Sequence, residues 1–186
     1  MEVKPFRAFR FDEAIVGDVG SCIAPPYDCL SPALQQQLYK KSPYNIVRII
    51  KGKTTPFDNE TNNQYTRAAQ YLDSWIKEGV LKQDLVEAFY AYVQNFQVAA
   101  SKFQRLSFIG LAKLEEFGQT VRPHEETLDA PKLDRFNLKK ATATEFGLVF
   151  MLYEDKQKIA DKIIEKTITT QEPLIDFYDE QNVRHR

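Results

Sequence analysis

The sequence is poor in cysteine, histidine and glycine, and these shortages exclude several kinds of site. Its two cysteines, Cys22 and Cys29, are too few for a disulfide framework or a structural zinc site. We interpret them as small apolar residues in a reducing compartment. No run approaches the roughly eighteen apolar residues that span a bilayer, and the N-terminus lacks the apolar core of a secretory signal. We therefore expect a soluble cytoplasmic protein with no membrane partner.

Charge of either sign is not in excess, and the familiar cofactor-binding motifs are absent. The 25 basic and 26 acidic residues give a formal charge of −1, so the chain as a whole does not attract nucleic acid. There is no glycine-rich phosphate loop, no GxGxxG segment and no HExxH segment. We therefore expect no nucleic-acid partner and no metal ion held by histidine and cysteine.

Apolar residues are abundant enough for a sizeable core. Hydrophobic residues make up 43% of the chain, which includes thirteen phenylalanines and nine tyrosines. Alternating apolar and basic residues at 3–11 predict one strand, and the β-branched run at 45–50 predicts another. The apolar spacing over 62–78, followed by Gly79, predicts a helix that ends at a glycine.

Two β-rich runs, 86–96 and 104–117, predict an antiparallel hairpin with a loop of about seven residues. The remaining pattern predicts a helix over 131–146, a buried strand over 147–153, a helix over 156–166 and a short strand in 173–179. These elements indicate the α+β class: a mixed, largely antiparallel sheet with a long hairpin and flanking helices. We expect a single domain over residues 1–186.

The C-terminal segment, 173–186, has no obvious strand to pair with. Unpaired strand edges promote association, so we expect a homodimer formed through this tail. We expect His185 to be exposed and without a role. Because the chain stops directly after a predicted strand and a cationic tripeptide, it looks like the N-terminal portion of a longer polypeptide.

The segment IAPPYDCLSP (23–32) is rigid by composition. Its two consecutive prolines fix φ and exclude a regular strand ladder, so they hold Tyr27 and Asp28 in an extended turn. Ser31 and Pro32 have the order of a helix N-cap and a first helical residue. Asp28 either caps the turn or faces a ligand, and the residues alone leave both interpretations open.

The segment VRPHEETLDAPKLDR (121–135) places one of the chain's two histidines among carboxylates and basic residues. A solvated charged surface would explain this composition, and a lone histidine is commonly a hydrogen-bonded structural residue. The other interpretation is that the segment is the working part of a site. Composition alone does not decide between the two.

Six segments together resemble a bacterial family known mainly as a domain of unknown function. They are, in chain order, PFRAFRF, IAPPYDCLSP, SPYNIVRII, WIKEGVL, VRPHEETLDAPKLDR and GLVFMLY. That family is similar to the free-serine kinases and, more remotely, to the ParB/sulfiredoxin superfamily, which implies a ParB/sulfiredoxin-like fold. In those kinases a K-P-H-E segment supplies a catalytic carboxylate and a later D-G-H-H-R segment grips the donor phosphates. Residues 122–125 match the first motif, with Arg122 in place of lysine.

The second motif, D-G-H-H-R, does not occur in this chain. This departure implies that the second motif lies in a C-terminal half that is missing here, and that this half is the partner of the chain. It also implies that the 186 residues are inactive alone. The resemblance implies a small-molecule substrate, with free serine as the candidate acceptor. The donor would be a nucleotide, ATP or ADP, or pyrophosphate, together with Mg²⁺.

The resemblance gives the residues of the charged segment chemical roles. Glu125 would take the proton of the acceptor hydroxyl, a contribution of about 10²–10⁴ in rate. His124 would bind substrate or donor, or orient Glu125. Tyr27 and Asp28 would contribute to substrate binding if the double proline aims them at the same cleft.

The basic residues of the same segment suit phosphate oxygens. Arg122 presents a planar guanidinium that makes bidentate contacts with phosphate. Lys132 and Arg135 are three residues apart on the predicted helix, so both can project from one face toward one anion. Asp134 would hold an arginine or a hydrated Mg²⁺.

Three functions from different classes remain open at this point. The first is part of a small-molecule kinase. The second is a non-catalytic, ParB-like module that binds a nucleotide or a partner without turnover. The third is a structural domain whose role is to pack against the missing half.

Overall fold

The computed structural model describes residues 1–124, 126 and 128–186. The chain divides into two compact units: the first consists of Met1–Ala8, Gln83–Arg122 and Phe150–Arg186, and the second of Phe9–Lys82 and Pro123–Val149.

The helices are α1 (Glu13–Val16), α2 (Pro32–Lys41), α3 (Val47–Ile50), α4 (Gln64–Lys77), α5 (Asp129–Thr142) and α6 (Ile159–Thr170). The strands are β1 (Val3–Lys4), β2 (Phe9–Phe11), β3 (Leu81–Gln83), β4 (Tyr90–Val98), β5 (Ser101–Ile109), β6 (Leu111–Ala112), β7 (Phe177–Tyr178) and β8 (Arg184–His185). Helices and antiparallel sheets in one chain confirm the α+β class.

Helices α2 and α4 of the second unit begin where their capping residues predict. Ser31 Oγ accepts a hydrogen bond from the Leu34 amide at 3.2 Å, and Pro32 occupies the first helical position of α2. The Asn63 side chain accepts from the first turn of α4, and the Thr66 hydroxyl accepts from the Asn63 amide, which completes a capping box.

The core of the second unit is built around the buried apolar residues on one face of α4. Its buried members are Ile49, Ala68, Leu72, Trp75, Val80, Leu81 and Leu138. The rings of Phe11, Tyr44 and Tyr71 surround Trp75 with centroid distances of 6.0–6.1 Å. Because Leu138 lies on α5, this core fixes α5 against α4 and so positions the charged segment of the sequence.

The strand predicted over 45–50 is wrong, because these residues form the short helix α3. Asn45 is fully buried, and its side-chain amide donates to the carbonyls of Ser21 and Ile23 at 2.8 and 2.7 Å. Its Oδ1 atom accepts from the Val47 amide at 3.0 Å. A buried asparagine satisfied in this way fixes a turn at the start of the run, so the β preference of the residues that follow is overridden.

The first unit is organised by the predicted hairpin, which is tighter than the sequence suggests. β4 and β5 pair from Tyr90↔Ile109 to Val98↔Ser101, so the connection is a two-residue turn instead of a long loop. Ala99 in that turn has a φ of 52°. Polar residues such as Gln97 and Lys102 belong to the strands because the tip of the hairpin is exposed on both sides.

The C-terminal tail is paired within its own sheet. The strand order of the four-stranded sheet is β5-β4-β8-β7, with β8 antiparallel to both β4 and β7. The backbone of Arg186 also exchanges hydrogen bonds with Val93 at 2.8 and 2.9 Å. The expectation that 173–186 lacks a strand partner is therefore wrong, and it is β7 that lies at the sheet edge.

Three further predicted strands differ from the structure. The predicted strand over 3–11 appears as β1 and β2 with a break between them, and β1 pairs with β6. The strand predicted over 104–117 ends at Ile109, and the two-residue strand β6 that follows belongs to a different sheet. Residues 147–153 have no regular secondary structure, and Leu148, Val149 and Leu152 are 66%, 82% and 87% exposed. An apolar run predicts burial, but the partner that would bury it cannot be read from the run itself.

Within the described part of the chain, no helix combines the length and apolar character required to cross a membrane.

Candidate functional site

The double proline presents Tyr27 at the start of a short turn. Pro26 has φ −49° and ψ 143°, and residues Tyr27–Cys29 form a single 3₁₀ turn closed by the Cys29 amide on the Pro26 carbonyl at 2.9 Å. Tyr27 is half-buried, whereas Asp28 is exposed in the first turn. A turn follows the double proline as predicted, but Tyr27 and Asp28 lie in a 3₁₀ turn and are not extended.

Arg135 on α5 meets this turn, although it is distant in sequence. Its guanidinium carbon lies 3.9 Å from the centroid of the Tyr27 ring, within cation–π distance. Its Nη2 group donates to the Ile50 carbonyl at the end of α3 at 2.7 Å. The structure therefore brings together two of the residues that the sequence assigns to phosphate and substrate binding.

Asp134 holds Arg135 in place. Its Oδ2 atom accepts from Arg135 Nε at 3.1 Å and from Nη2 at 2.5 Å, and its Oδ1 atom accepts from the Tyr65 hydroxyl at 2.8 Å. Burial would raise the pKa of Asp134, but hydrogen bonds from Arg135 and Tyr65 and the charges of Arg135 and Lys51 outweigh it and lower the pKa. Burial and the neighbouring Asp134 carboxylate raise the pKa of Tyr65.

A crevice beside these groups is too narrow to admit a water molecule; it is lined by Ile49, Ile50, Gly52, Gln64, Tyr65, Asp134, Arg135 and Leu138. The Asp134–Arg135 pair is thus packed into the second unit, with side chains 25% and 28% exposed. A ligand would have to bind at the exposed rim of this group.

Lys51 is a cation of this group that the sequence analysis missed. Its ammonium nitrogen lies 5.9 Å from the Tyr27 ring centroid, and its charge acts on Asp134. It directly follows α3, one residue beyond the run 45–50 that the sequence predicts as a strand. Its position beside Tyr27 is a tertiary contact, and no local pattern in the sequence indicates it.

The remaining predicted site residues lie in or near the segment that precedes α5. Arg122 and His124 are exposed and lie outside helices and strands. Lys132 is an exposed residue of α5, and its Nζ atom lies 3.5 Å from Asp129 Oδ1. Glu125, the predicted base, lies outside the described residues.

The two cations on α5 are directed to different partners. Arg135 contacts Asp134, Ile50 and Tyr27, whereas Lys132 contacts Asp129. Both residues lie on α5 at the predicted (i, i+3) spacing. Each cation, however, contacts its own acidic neighbour. Among the described residues, Arg135 keeps one group, Nη1, without a hydrogen-bond partner.

His185, expected to be exposed and without a role, is instead held in a polar and aromatic cluster of the first unit. Its Nδ1 atom lies 2.7 Å from the Tyr92 hydroxyl and its Nε2 atom 3.0 Å from Asp179 Oδ2. The Phe177 ring stacks on it at 4.9 Å and 10°. Only 15% of its side chain is exposed. The adjacency of β7, β8 and β4, which the sequence analysis did not anticipate, creates this cluster.

The acidic member of this cluster is held in its charged form. Burial would raise the pKa of Asp179, but hydrogen bonds from His185 and from the Val183 and Gln181 amides outweigh it and lower the pKa. Burial raises the pKa of Tyr92. The phenol therefore stays protonated and can donate to His185 Nδ1.

Across the residues that the structure describes, no group of three or more histidine, cysteine, aspartate and glutamate side chains is arranged to hold a metal ion.

Comparison with known proteins places the chain in a family without giving an activity. No curated protein and no solved structure matches the sequence. The model of one family, described as a protein of unknown function (DUF1015), matches residues 3–186, which is nearly the whole chain. The chain therefore belongs to the DUF1015 family.

Proposed function

We propose that the chain supplies part of the active site of a kinase-like phosphotransferase that phosphorylates a small-molecule hydroxyl in the full-length protein. Free serine is the candidate acceptor, on the basis of the R-P-H-E segment at 122–125. The observation that carries the proposal is the contact between Arg135 and Tyr27 at 3.9 Å. It joins the two segments to which the sequence assigned substrate and phosphate binding.

The rim of this group has the charge that a phosphorylated donor requires. Arg135 is oriented in advance by Asp134, the Ile50 carbonyl and Tyr27, so little freedom is lost when its Nη1 group contacts a phosphate oxygen. Lys51 adds a second cation beside the same ring. These contacts support donor binding at this rim.

The transfer requires few groups from the protein. The acceptor oxygen attacks the terminal phosphorus, Glu125 takes the hydroxyl proton, and the bond from phosphorus to the bridging oxygen breaks. ATP would leave as ADP, ADP as AMP, and pyrophosphate as phosphate. His124 would orient the acceptor, and Arg122 would neutralise charge on the transferred group.

Mg²⁺ would enter bound to the donor phosphates, where it neutralises their charge. Asp134 does not suit the metal, because Tyr65 and Arg135 occupy its two oxygens. Within this group, Asp134 therefore positions Arg135.

A non-catalytic nucleotide-binding module is the second candidate. The observation that favours it is the internal use of Arg135, which spends most of its hydrogen bonds on Asp134 and the Ile50 carbonyl. A guanidinium held in this way can bind a stationary anion. Phosphoryl transfer would instead require contacts to a group that moves from donor to acceptor.

Phosphorus NMR of the full-length protein distinguishes the two candidates. Free serine would be incubated with Mg²⁺ and, in separate reactions, ATP, ADP or pyrophosphate. The kinase proposal predicts a phosphomonoester signal with at least one donor and none from residues 1–186 alone. Donor binding by calorimetry without any phosphomonoester would favour the binding module, and the absence of both would reject both candidates.

A further inference from the structure

One face of the four-stranded sheet in the first unit carries a group of aromatic and cationic side chains. Alternate residues of a strand share a face, and so do directly opposed residues of neighbouring strands. The pairs Phe96↔Phe103, Gln94↔Arg105 and Gln94↔His185 therefore place these side chains on one face. We call it the aromatic face.

Away from the exposed hairpin tip, the opposite face of this sheet is buried at Val93. Val93, which points away from the aromatic face, is 1% exposed, and α6 packs against β4 and β5 with Ile164 buried at 4%. On the aromatic face, by contrast, Phe103 is 48% exposed. An antiparallel sheet commonly has one packed face and one face open to solvent. Open faces are usually polar, so the exposed Phe103 ring on this face is a candidate contact for a ligand.

The rings on the aromatic face are already arranged for stacking. Phe96 and Phe103 lie 5.8 Å apart with an interplanar angle of 23°. Beside them, the His185 ring is stacked on Phe177 and held by Tyr92 and Asp179. A planar molecule placed on the exposed side of Phe103 would therefore extend an existing stack and would not require the rings to reorient.

Arg105 gives the same face a positive charge. Its guanidinium carbon lies 5.4 Å from the Phe96 ring centroid and 5.2 Å from the Phe150 ring centroid. Its Nη1 group donates to the neutral Gln94 Oε1 atom at 3.1 Å. In the described part of the chain, Arg105 forms no ion pair. A guanidinium held by rings and an amide keeps its charge for an external anion.

We propose that the aromatic face binds a mononucleotide, with the base stacked on Phe103 and the phosphate on Arg105. These two residues are alternate positions of one strand, about 7 Å apart, a separation that a nucleoside monophosphate can bridge. Exposed aromatic rings with an adjacent arginine are the means by which open sheets bind bases and phosphates. This inference does not rest on the phosphotransferase proposal.

Charge favours a mononucleotide over a single-stranded nucleic acid. Affinity for a polyanionic strand comes from several lysines and arginines that follow its backbone. Among the strand residues of the aromatic face that the structure describes, Arg105 is the one side chain with a fixed positive charge, and Asp179 next to His185 is a carboxylate. One such cation matches one phosphate group.

Calorimetric titration of the whole chain with AMP tests the proposal. Phe103→Leu keeps an apolar side chain but removes the ring, and Arg105→Gln removes the charge. Each is expected to weaken AMP binding at least about fivefold. Adenosine and inorganic phosphate, titrated separately, should each bind more weakly than AMP. Both substituted side chains are exposed, so the variants should keep the wild-type thermal unfolding midpoint.

Lys102→Gln is the matched control, because Lys102 neighbours Phe103 but points to the opposite face. It should bind AMP as the wild type does. The proposal fails if AMP shows no saturable binding at millimolar concentration, or if neither Phe103→Leu nor Arg105→Gln weakens it. It also fails if a single-stranded oligonucleotide binds more tightly than AMP, because the surface would then recognise a nucleic-acid strand.

Discussion

Asp134→Asn removes the charge that holds Arg135 against the proline-rich turn while keeping the shape of the side chain. In the wild type, the carboxylate accepts two hydrogen bonds from Arg135 and one from the Tyr65 hydroxyl. Asparagine keeps an oxygen for Tyr65 but pairs poorly with the guanidinium. We expect Arg135 to lose its orientation over Tyr27.

The expected loss of stability follows from these contacts. Hydrogen bonds to charged groups contribute about 1.5–3 kcal/mol each when they are shielded from water. The Asp134 and Arg135 side chains are 25% and 28% exposed, so solvent screening reduces this value. We expect Asp134→Asn to lower the free energy of unfolding by about 1–2 kcal/mol at pH 7.

The effect should depend on pH in a defined direction. The pKa of Asp134 is lowered in the folded chain, against the opposing effect of burial, so the folded state binds its proton less readily than the unfolded state. The stabilisation is therefore complete above the unfolded value of about 3.9 and is lost as the pH falls through the lower folded value. The wild type and the variant should converge below pH 4.

Urea unfolding followed by the fluorescence of Trp75, the single tryptophan, measures this difference. Trp75 is 3% exposed and shares a core with Leu138 of α5, so it reports on the unit that contains Asp134. Asp73→Asn, an exposed carboxylate on α4, is the control and should change stability by less than about 0.5 kcal/mol. If Asp134→Asn matches the wild type at pH 7, or the difference persists undiminished at low pH, the ion pair does not hold this group together.

Three further outcomes test the fold. Leu72→Ala should lower the free energy of unfolding by about 2–5 kcal/mol in the same assay, since Leu72 is 6% exposed within the core; an effect below 1 kcal/mol would contradict that packing. Ser31→Ala should cost about 1 kcal/mol through loss of the α2 cap, and Ser31→Asp should restore most of it. A thiol reagent should modify exposed Cys29 in the native chain but reach buried Cys22 only on unfolding, and equal rates would refute the burial of Cys22.

The parts of the fold that the sequence predicted are those fixed by local chemistry. Ser31 and Pro32 predict the start of α2, and the apolar stripe over 62–78 predicts α4. Both signals depend only on residues a few positions apart, because caps and helical spacing are local. The hairpin was predicted from two β-rich runs, but its turn was misplaced. Polar residues near an exposed hairpin tip look like a loop in sequence although they are paired as strands.

The parts that the sequence could not predict depend on distant partners. Residues 45–50 have the composition of a strand, yet the buried Asn45 side chain fixes a turn by hydrogen-bonding to carbonyls more than twenty residues away. The same limit applied to His185, whose partners come from β4 and from the turn between β7 and β8.

The candidate site was predicted in part. The sequence singled out Tyr27 and Arg135, which the structure brings into contact. It gave no sign of Lys51, whose position depends on α3 being a helix. The assignment of Glu125 as the base rests on the R-P-H-E match and stays a prediction.

The initial rate of acceptor phosphorylation by the full-length Glu125→Gln protein tests the central claim most directly. Glutamine keeps the size and hydrogen bonding of the side chain but cannot accept the hydroxyl proton. Glu126→Gln, one residue away and exposed, is the matched control. We predict that Glu125→Gln lowers the rate at least about a hundredfold with donor affinity little changed, while Glu126→Gln stays near the wild type. Wild-type turnover by Glu125→Gln, on a substrate that the wild type accepts, would contradict the assignment of Glu125 as the base.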